Sequence, residues 1–238
     1  MKRVIFLCFL ITSLNNGFAQ QNSTPYDYPI KPGSAEWKNF KSGDEMAAAC
    51  NIPDAVVKNL TTQALVITCL NYPLFNEIFS ANNLQAGFSA LTDGFNGFEE
   101  LLNRKDAGKE LLSKYQSLNP KNLTLLSSPE EKGDFTFRYT FIELLLSQDQ
   151  IISGFTQSER QSLRQEAIKK FEQKKELIDD FGVFGLNNSA WVLGKLLQVE
   201  KKPLPAAINE QDLNFFLSTG TFSNKEILDA IYIGSKSL

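Results

Sequence analysis

One segment of the chain is apolar on nearly every side, and it constrains the fold more than any other. Residues 134–148 read DFTFRYTFIELLLSQ. A helix that is apolar all round belongs at the centre of a folded protein. The polar exceptions lie at helical spacing on one narrow stripe: Thr136, Thr140, Glu143 and Ser147. We therefore predict a central buried helix whose polar stripe faces water or a groove.

The rest of the chain predicts many short helices separated by tight turns. Asparagine, serine and threonine residues stand before stretches with helical spacing, and proline or glycine follows them. The candidate caps are Ser42 or Asp44, Thr61 or Thr62, Asn82 or Asn83, Asn188 or Ser189, and Asn209. No run of alternating β-branched residues predicts a strand. We predict an all-α fold, either an irregular α-solenoid-like arrangement or an orthogonal helical array.

The longest predicted helix begins at a capping box formed by Thr156 and Glu159, and it extends to about Asp180. Leu163, Ala167, Phe171 and Ile178 mark its apolar seam. The remaining surface holds six basic and six acidic residues. Such a balance is typical of a face exposed to water and not of a nucleic-acid interface.

The sequence begins like a secretory signal peptide. Lys2 and Arg3 precede an apolar run at residues 4–12, and Gly17 and Ala19 are the small residues that a signal peptidase recognises. We predict cleavage after Ala19 and a periplasmic or extracellular location. The predicted organisation is a signal peptide at 1–19, an extended N-terminal arm at 20–40 and a single helical domain at 41–238. Residues 41–118 and 129–238 are possible subdomains.

The composition of the chain excludes several classes of catalytic site and of ligand. The chain has no histidine, which removes Ser-His-Asp and Cys-His catalysis and the common zinc motifs. Loss of residues 1–19 removes two positive charges, so the net charge of −3 becomes −5. An acidic protein is a poor ligand for nucleic acid. We expect no metal, no cofactor, no nucleic acid and no membrane-spanning helix.

Two cysteines remain after cleavage, Cys50 and Cys69. An even number of cysteines in an exported protein is compatible with a disulfide. Each cysteine also lies in an apolar helical stretch, where a free cysteine packs as a small hydrophobe. The sequence leaves both interpretations open.

Four charged residues are the candidate site residues. Glu99, Arg104 and Asp106 belong to the densest charged cluster, and Glu143 lies in the apolar segment. Paired carboxylates carry out glycoside hydrolysis when their environments separate their pKa values. Ordinary helix pairing, such as Glu100 with Arg104, and capping by Asp106 explain the cluster more simply. We assign no catalytic residue.

Five blocks of the sequence form a recognisable set: residues 28–33 with Glu36 and Trp37, 70–75, 95–108, 141–146 and 181–185. Together they resemble a group of exported, all-helical bacterial proteins of no known activity. The resemblance implies export and an all-α fold, and it implies no ligand or catalytic residue.

The expected function is therefore that of an exported, non-catalytic binding or interaction module of the cell envelope or exterior. Its partner would be a protein, a peptide or a glycan. The alternative is a carboxylate-dependent hydrolase or lyase acting on polysaccharide or peptidoglycan. A deep cleft with two carboxyl groups about 5 to 10 Å apart would favour the alternative.

Overall fold

The computed structural model describes residues 21–203 and 209–238 and confirms the all-α prediction. Within these ranges there is no strand, only an isolated bridge between Asn22 and Leu60. The predicted signal peptide and its cleavage site lie outside the described residues. The α-helices are α1 Gly43–Cys50, α2 Asp54–Asn59, α3 Thr62–Leu70, α4 Leu84–Gly94, α5 Asn96–Asn103, α6 Ala107–Ser117, α7 Pro129–Leu146, α8 Asp149–Gly154, α9 Gln157–Glu176, α10 Ile178–Val199, α11 Glu210–Thr219 and α12 Glu226–Lys236. Three 3-10 helices span Trp37–Asn39, Phe75–Ser80 and Pro120–Leu125.

Six of the twelve α-helices in the described part of the chain begin where a polar side chain accepts a hydrogen bond from a free backbone N–H. Ser42, Thr61, Asn83 and Asn209 cap α1, α3, α4 and α11 in this way, which confirms these candidates. A complete capping box at Thr156 and Glu159 opens α9, as predicted. A second capping box, Ser128 with Glu131, starts α7 earlier than the apolar pattern indicated.

The central pair of helices is α7 and α10. Every residue of α7 from Tyr139 to Leu146 is buried, which confirms the prediction of a central helix. Helix α10 packs along α7 and also contacts α8, α9, α11 and α12. Its Trp191 is fully buried, and the indole N–H donates to the carbonyl of Leu217 at 3.0 Å. The helices thus converge as an irregular array on two buried elements.

An aromatic cluster joins the N-terminal helices to α7. The Phe75 ring stacks on Phe141 with centroids 4.0 Å apart and planes 6° apart. Tyr72 stacks on Phe95 at 4.0 Å, and Phe98 meets both Phe75 and Phe95 edge-on at 5.0 Å. Such pairs contribute beyond their buried area. The buried apolar side chains of the described residues form one connected core.

Residues 22–28 lie against α3. The backbone of Asn22 donates to Asn59 at 2.7 Å and accepts from Thr61 at 2.9 Å. The Tyr28 hydroxyl donates to the carbonyl of Thr68 at 3.0 Å, and the ring is buried. These bonds satisfy backbone groups at helix ends: the Asn59 carbonyl at the end of α2, the Thr61 N–H before α3 and the Thr68 carbonyl in the last turn of α3.

The connection between α9 and α10 differs from the prediction. Helix α9 ends at Glu176, before Asp180, and α10 starts two residues later. Gly182 then kinks α10, with φ 61° and ψ −178°, a conformation that suits glycine. The helix continues directly after the kink, so Asn188 and Ser189 lie inside it and are buried. The prediction that either of them caps a helix was therefore wrong.

No helix among the described residues is long and apolar enough to cross a membrane.

Candidate functional site

An open cleft of about 690 Å³ is formed by four helices. Helices α4, α8, α10 and α11 supply its walls, together with Gln148 in the turn between α7 and α8. Side-chain amides dominate the lining. The residues are Gln85, Gln148, Asp149, Gln150, Ser153, Lys195, Gln198, Asn214, Leu217 and Ser218. We call this site the amide-lined cleft.

The floor of the cleft is held by a chain of amides. Gln148 is nearly fully buried, and its side-chain N–H donates to the carbonyl of Leu144 at 2.8 Å. Its side-chain oxygen accepts from the Gln85 amide at 3.0 Å. The end of α7 fixes this position, because the Ser147 hydroxyl donates to the carbonyl of Glu143 at 2.7 Å and closes the last turn. The floor is thereby organised before any ligand enters.

One ion pair crosses the cleft wall. The Lys195 Nζ donates to the Asp149 carboxylate at 2.8 Å, and the lysine side chain is only 9% exposed whereas the aspartate is 78% exposed. Lysine therefore buries its aliphatic stem and places its ammonium group at the rim. The two charges cancel, and the other lining residues are uncharged. Asp149 is the only carboxylate of the lining, so the cleft lacks the pair of acids expected of a glycosidase.

Glu143, predicted to face water or a groove, is instead completely buried between α6, α9 and α10. Its carboxylate accepts from the Tyr115 hydroxyl at 2.6 Å, from the Ser189 hydroxyl at 2.7 Å and from Lys174 Nζ at 2.6 Å. Lys174 is also buried, and it donates to the carbonyl of Gly185 and to Ser189, both at 3.1 Å. All three ammonium N–H groups thus have an acceptor. The favoured prediction for Glu143 was wrong because a lysine of another helix covers the polar stripe.

The pKa directions of this network follow from its burial. Loss of water lowers the pKa of Lys174, and the neighbouring Glu143 carboxylate acts against that effect. Burial and the same carboxylate raise the pKa of the Tyr115 phenol well above its usual value of 10.0. The ammonium group also lies 4.9 Å from the centroid of the Tyr139 ring. The network does not line the amide-lined cleft, and its donors and acceptors are occupied by one another, as in a structural ion pair.

Arg104 and Asp106 come together through Thr62. The Thr62 hydroxyl donates to Asp106 at 2.8 Å, and Asp106 makes no capping bond to the N-terminus of α6. The Arg104 guanidinium donates to Glu100 at 2.8 Å, as its spacing predicted, and to the carbonyls of Leu60 and Val57 at 2.5 and 2.9 Å. The arginine therefore ties α5 to the end of α2, which is a structural role.

Glu99 lies apart from the Glu143 network and from the contacts of Arg104 and Asp106. It is exposed, and with Asp54 and Asp93 it lines a shallower cavity of about 480 Å³ at the start of α5. The structure thus divides the four candidate residues among three places. Within the described residues, no group of three or more cysteine or acidic side chains is arranged to hold a metal.

Cys50 and Cys69 are both free, buried thiols in the structure. Burial raises the pKa of the Cys50 thiol to about 11 and raises that of Cys69 further. A thiol with a raised pKa is a poor nucleophile at neutral pH. The two cysteines act here as small apolar residues of the core.

Sequence reasoning missed Lys174, Tyr115 and the amides of the cleft. A signal for Lys174 exists, because Leu163, Ala167, Lys170 and Lys174 follow one another at helical spacing and therefore share the buried side of α9. No comparable signal marks the cleft, since its residues come from four helices with ordinary polar surfaces.

Comparison of the chain with protein-family models, with curated proteins and with solved structures gives no match.

Proposed function

We propose that the protein is an exported helical binding protein that holds an uncharged peptide segment in the amide-lined cleft. The observation that supports this proposal is the composition of the cleft: five side-chain amides, two hydroxyls and a single neutralised ion pair. Concave sites with a few fixed polar groups are the usual places for ligand binding. A neutral lining selects against strongly charged ligands, since a charged group would lose water without gaining a counter-charge.

A peptide fits this lining for a chemical reason. Each glutamine or asparagine side chain offers one acceptor and two donors in a plane, and an extended peptide offers one N–H and one carbonyl per residue. Gln198 of α10 and Asn214 of α11 are exposed, and they line the same cleft as the fixed amides of Gln85 and Gln148. No aromatic ring lines the cleft, so a sugar would have no aromatic face against which to pack. A glycan is therefore the less favoured ligand.

The test is a titration of the ¹⁵N-labelled protein, observed through its side-chain amide signals. A capped oligopeptide of alanine, serine and asparagine is one probe, and neutral chitin and cellulose oligosaccharides are the others. We expect saturable shifts of the Gln85, Gln148 and Asn214 amide signals with the peptide alone. Shifts with the sugars alone would identify a glycan, and not a peptide, as the ligand. The absence of shifts with every probe would refute the cleft as the binding site.

The matched variants change only exposed amides. The double variant Gln198→Ala, Asn214→Ala removes two amides of the rim and is expected to weaken peptide binding about tenfold, the effect of losing one or two hydrogen bonds. Gln116→Ala removes an exposed amide of α6 outside the cleft and should leave binding unchanged. Equal affinities for the two variants would argue against the proposal.

Export is part of the proposal, and the pattern of residues 1–19 supports it. The expected mature protein begins at Gln20 and lies in the periplasm or outside the cell. Expression of the full chain in a bacterium, followed by fractionation and N-terminal sequencing, tests both points. An intact N-terminus in the cytoplasmic fraction would contradict them.

The alternative, a carboxylate-dependent hydrolase or lyase, has one observation in its favour. Asp54, Asp93 and Glu99 line the same cavity of about 480 Å³. All three are exposed, whereas such catalysis needs one acid in a desolvated setting. We expect no release of reducing ends from peptidoglycan or polysaccharide. Release that is abolished by Glu99→Gln would establish the alternative and displace the binding proposal.

A further inference from the structure

A further cavity, of about 580 Å³, lies where the C-terminal end of α10 passes the first half of α9, and its lining is strongly cationic. Arg160 and Arg164 of α9 and Lys201 and Lys202 after α10 line it, against one acidic side chain, Glu200. The side-chain charges of the lining sum to +3 on a chain of net charge −3. Leu238 also lines the cavity.

The two arginines hold unused hydrogen-bond donors. Arg160 and Arg164 stand one helical turn apart. Among the described residues the Arg160 guanidinium donates only to the carbonyl of Ser153, at 3.2 Å, and that of Arg164 only to Glu200. The Nε atoms of both are buried without an acceptor. A guanidinium has five N–H donors, and a buried donor without an acceptor costs free energy. A ligand with several acceptor oxygens would use these donors after a rotation of the side chains.

The backbone of Lys201 is unusual. It is the only non-glycine residue with a positive φ among the described residues, at 53°. The left-handed conformation ends α10, since Lys201 N–H donates to Gln198 at 3.1 Å and Lys202 N–H donates to Leu197 at 2.9 Å. Glycine is the usual residue at this position because a Cβ is disfavoured there.

A basic residue near a helix C-terminus interacts favourably with the helix dipole, and this interaction accounts for Lys202. It does not explain why lysine, and not glycine, occupies the left-handed position at 201. Backbone strain that is retained at such a position is typical of a functional site. At this site the retained residue is a lysine, and it lines the same cavity as Arg160 and Arg164.

We propose that the cavity lined by Arg160, Arg164, Lys201 and Lys202 binds a phosphate group. Guanidinium forks match the oxygens of phosphate, and ammonium groups complement its charge. A phosphate dianion also matches the net positive charge of the lining. The phosphate has two possible sources, a free phosphate or phosphomonoester and the headgroup of an anionic phospholipid. The site does not depend on the amide-lined cleft or its ligand.

Isothermal titration of the purified protein with inorganic phosphate tests the site, with sodium chloride at equal ionic strength as the reference. We expect saturable binding with a Kd of about 1 mM or tighter. Lys202→Gln should weaken it about tenfold, as expected for loss of one charge-assisted hydrogen bond. Lys38→Gln, at an exposed position outside the cavity, should leave the affinity unchanged.

Lys201→Gly separates the proposed role from a structural one. Glycine relieves the left-handed backbone, so the midpoint of urea denaturation should rise while phosphate affinity falls about tenfold. A variant that is more stable and yet binds less cannot be explained by misfolding. Unchanged phosphate affinity in both Lys201→Gly and Lys202→Gln would overturn the proposal.

Vesicles distinguish the two sources of phosphate. Co-sedimentation with phosphatidylglycerol–phosphatidylcholine vesicles, but not with phosphatidylcholine alone, and its loss in Lys202→Gln would assign a lipid headgroup. Binding of inorganic phosphate without co-sedimentation would assign a free phosphate or phosphomonoester. If neither probe binds in a manner that depends on Lys202, no phosphate site exists.

Discussion

Replacement of Lys174 by methionine tests the buried network most directly. Methionine keeps the unbranched shape of the lysine side chain and removes the charge. The Glu143 carboxylate would then remain in the core with only the hydroxyls of Tyr115 and Ser189 as donors, at 2.6 and 2.7 Å. A buried carboxylate that loses its counter-ion is strongly destabilising, since water cannot replace the lost interaction.

The expected magnitude follows from the contacts. Removal of one member of a fully buried ion pair destabilises a protein by about 3–5 kcal/mol. Lys174→Met also deprives the carbonyl of Gly185 and the Ser189 hydroxyl of a donor, each at 3.1 Å, whereas the remaining hydroxyl donors still solvate Glu143. We expect a loss of about 4 kcal/mol, a large part of the stability of an ordinary domain.

The double variant Glu143→Leu, Lys174→Met separates the charges from the packing. It leaves no buried charge in the network, but the Tyr115 and Ser189 hydroxyls both lose Glu143 as their acceptor. Ser189 can donate instead to the carbonyl of Gly185 one turn earlier, so the main remaining defect is the Tyr115 hydroxyl, which costs about 1–3 kcal/mol. The double variant should therefore be more stable than Lys174→Met alone. Further replacement of Tyr115 by phenylalanine should recover part of the difference from the natural chain.

Urea denaturation followed by far-ultraviolet circular dichroism at pH 7 measures these free energies of unfolding. Lys175→Met is the matched control, because Lys175 is the next residue of α9 and its ion pair with Asp229 is more than half exposed. An exposed pair contributes less than about 1 kcal/mol. The reasoning fails if Lys174→Met loses no more stability than Lys175→Met. It also fails if the losses measured for Lys174→Met and for Glu143→Leu alone simply add in the double variant.

Three further predictions concern other parts of the molecule. Gly87→Ala should destabilise the protein by about 3 kcal/mol, because a Cβ would lie 2.1 Å from the backbone oxygen of Ile78. Gly94→Ala is the control: its Cβ would meet nothing within 4 Å, so the free energy of unfolding should change by less than about 1 kcal/mol. Equal effects of the two variants in urea denaturation would contradict the close approach at Gly87. Lys201→Gly should stabilise the protein by about 1 kcal/mol through relief of its left-handed backbone, and a lower denaturation midpoint would refute this. Burial raises the pKa of Cys50 to about 11 from 9.0, and it also raises the pKa of Cys69, Tyr28 and Tyr115. The folded chain therefore holds protons that the unfolded chain releases above about pH 9. Because of this difference, the free energy of unfolding should fall as the pH rises from 9 to 11. The lowered pKa of Lys174 acts in the opposite direction below pH 10.5 but involves fewer groups, and a denaturation midpoint that stays constant to pH 11 in the presence of reductant would contradict this prediction.

Local rules predicted the starts of α1, α3, α4, α9 and α11 because the causes are local. Ser42, Thr61 and Asn83 each accept a hydrogen bond from an N–H three residues away, and that geometry depends only on the neighbouring residues. The break between α9 and α10 was harder to predict. Gly182 adopts a conformation that ends many helices, yet the packed sequence after it restarts the helix at once. Whether a glycine ends or kinks a helix depends on the tertiary contacts of the next turn.

The site residues were less predictable, since their environment comes from distant parts of the chain. Tyr115, Glu143 and Lys174 belong to three different helices, and the amide-lined cleft draws on four. Balanced charge along α9 predicted a surface in water, which holds for exposed Lys169 and fails for Lys170 and Lys174. Composition averages over a helix, whereas burial is decided by the direction of each side chain.

The polar stripe of α7 shows what a better prediction would have required. Thr140 and Glu143 face Asn188 and Ser189 of α10, and they pair with them at 3.0 and 2.7 Å. A polar stripe seen on one helix indicates solvent, but polar residues within an otherwise apolar stretch of a second helix indicate a partner. Asn188 and Ser189 stand in such a stretch, and they were interpreted as helix caps because serine and asparagine are common there. Polar groups in two apolar helices therefore indicate each other as partners, since the large majority of buried donors and acceptors in proteins are hydrogen-bonded.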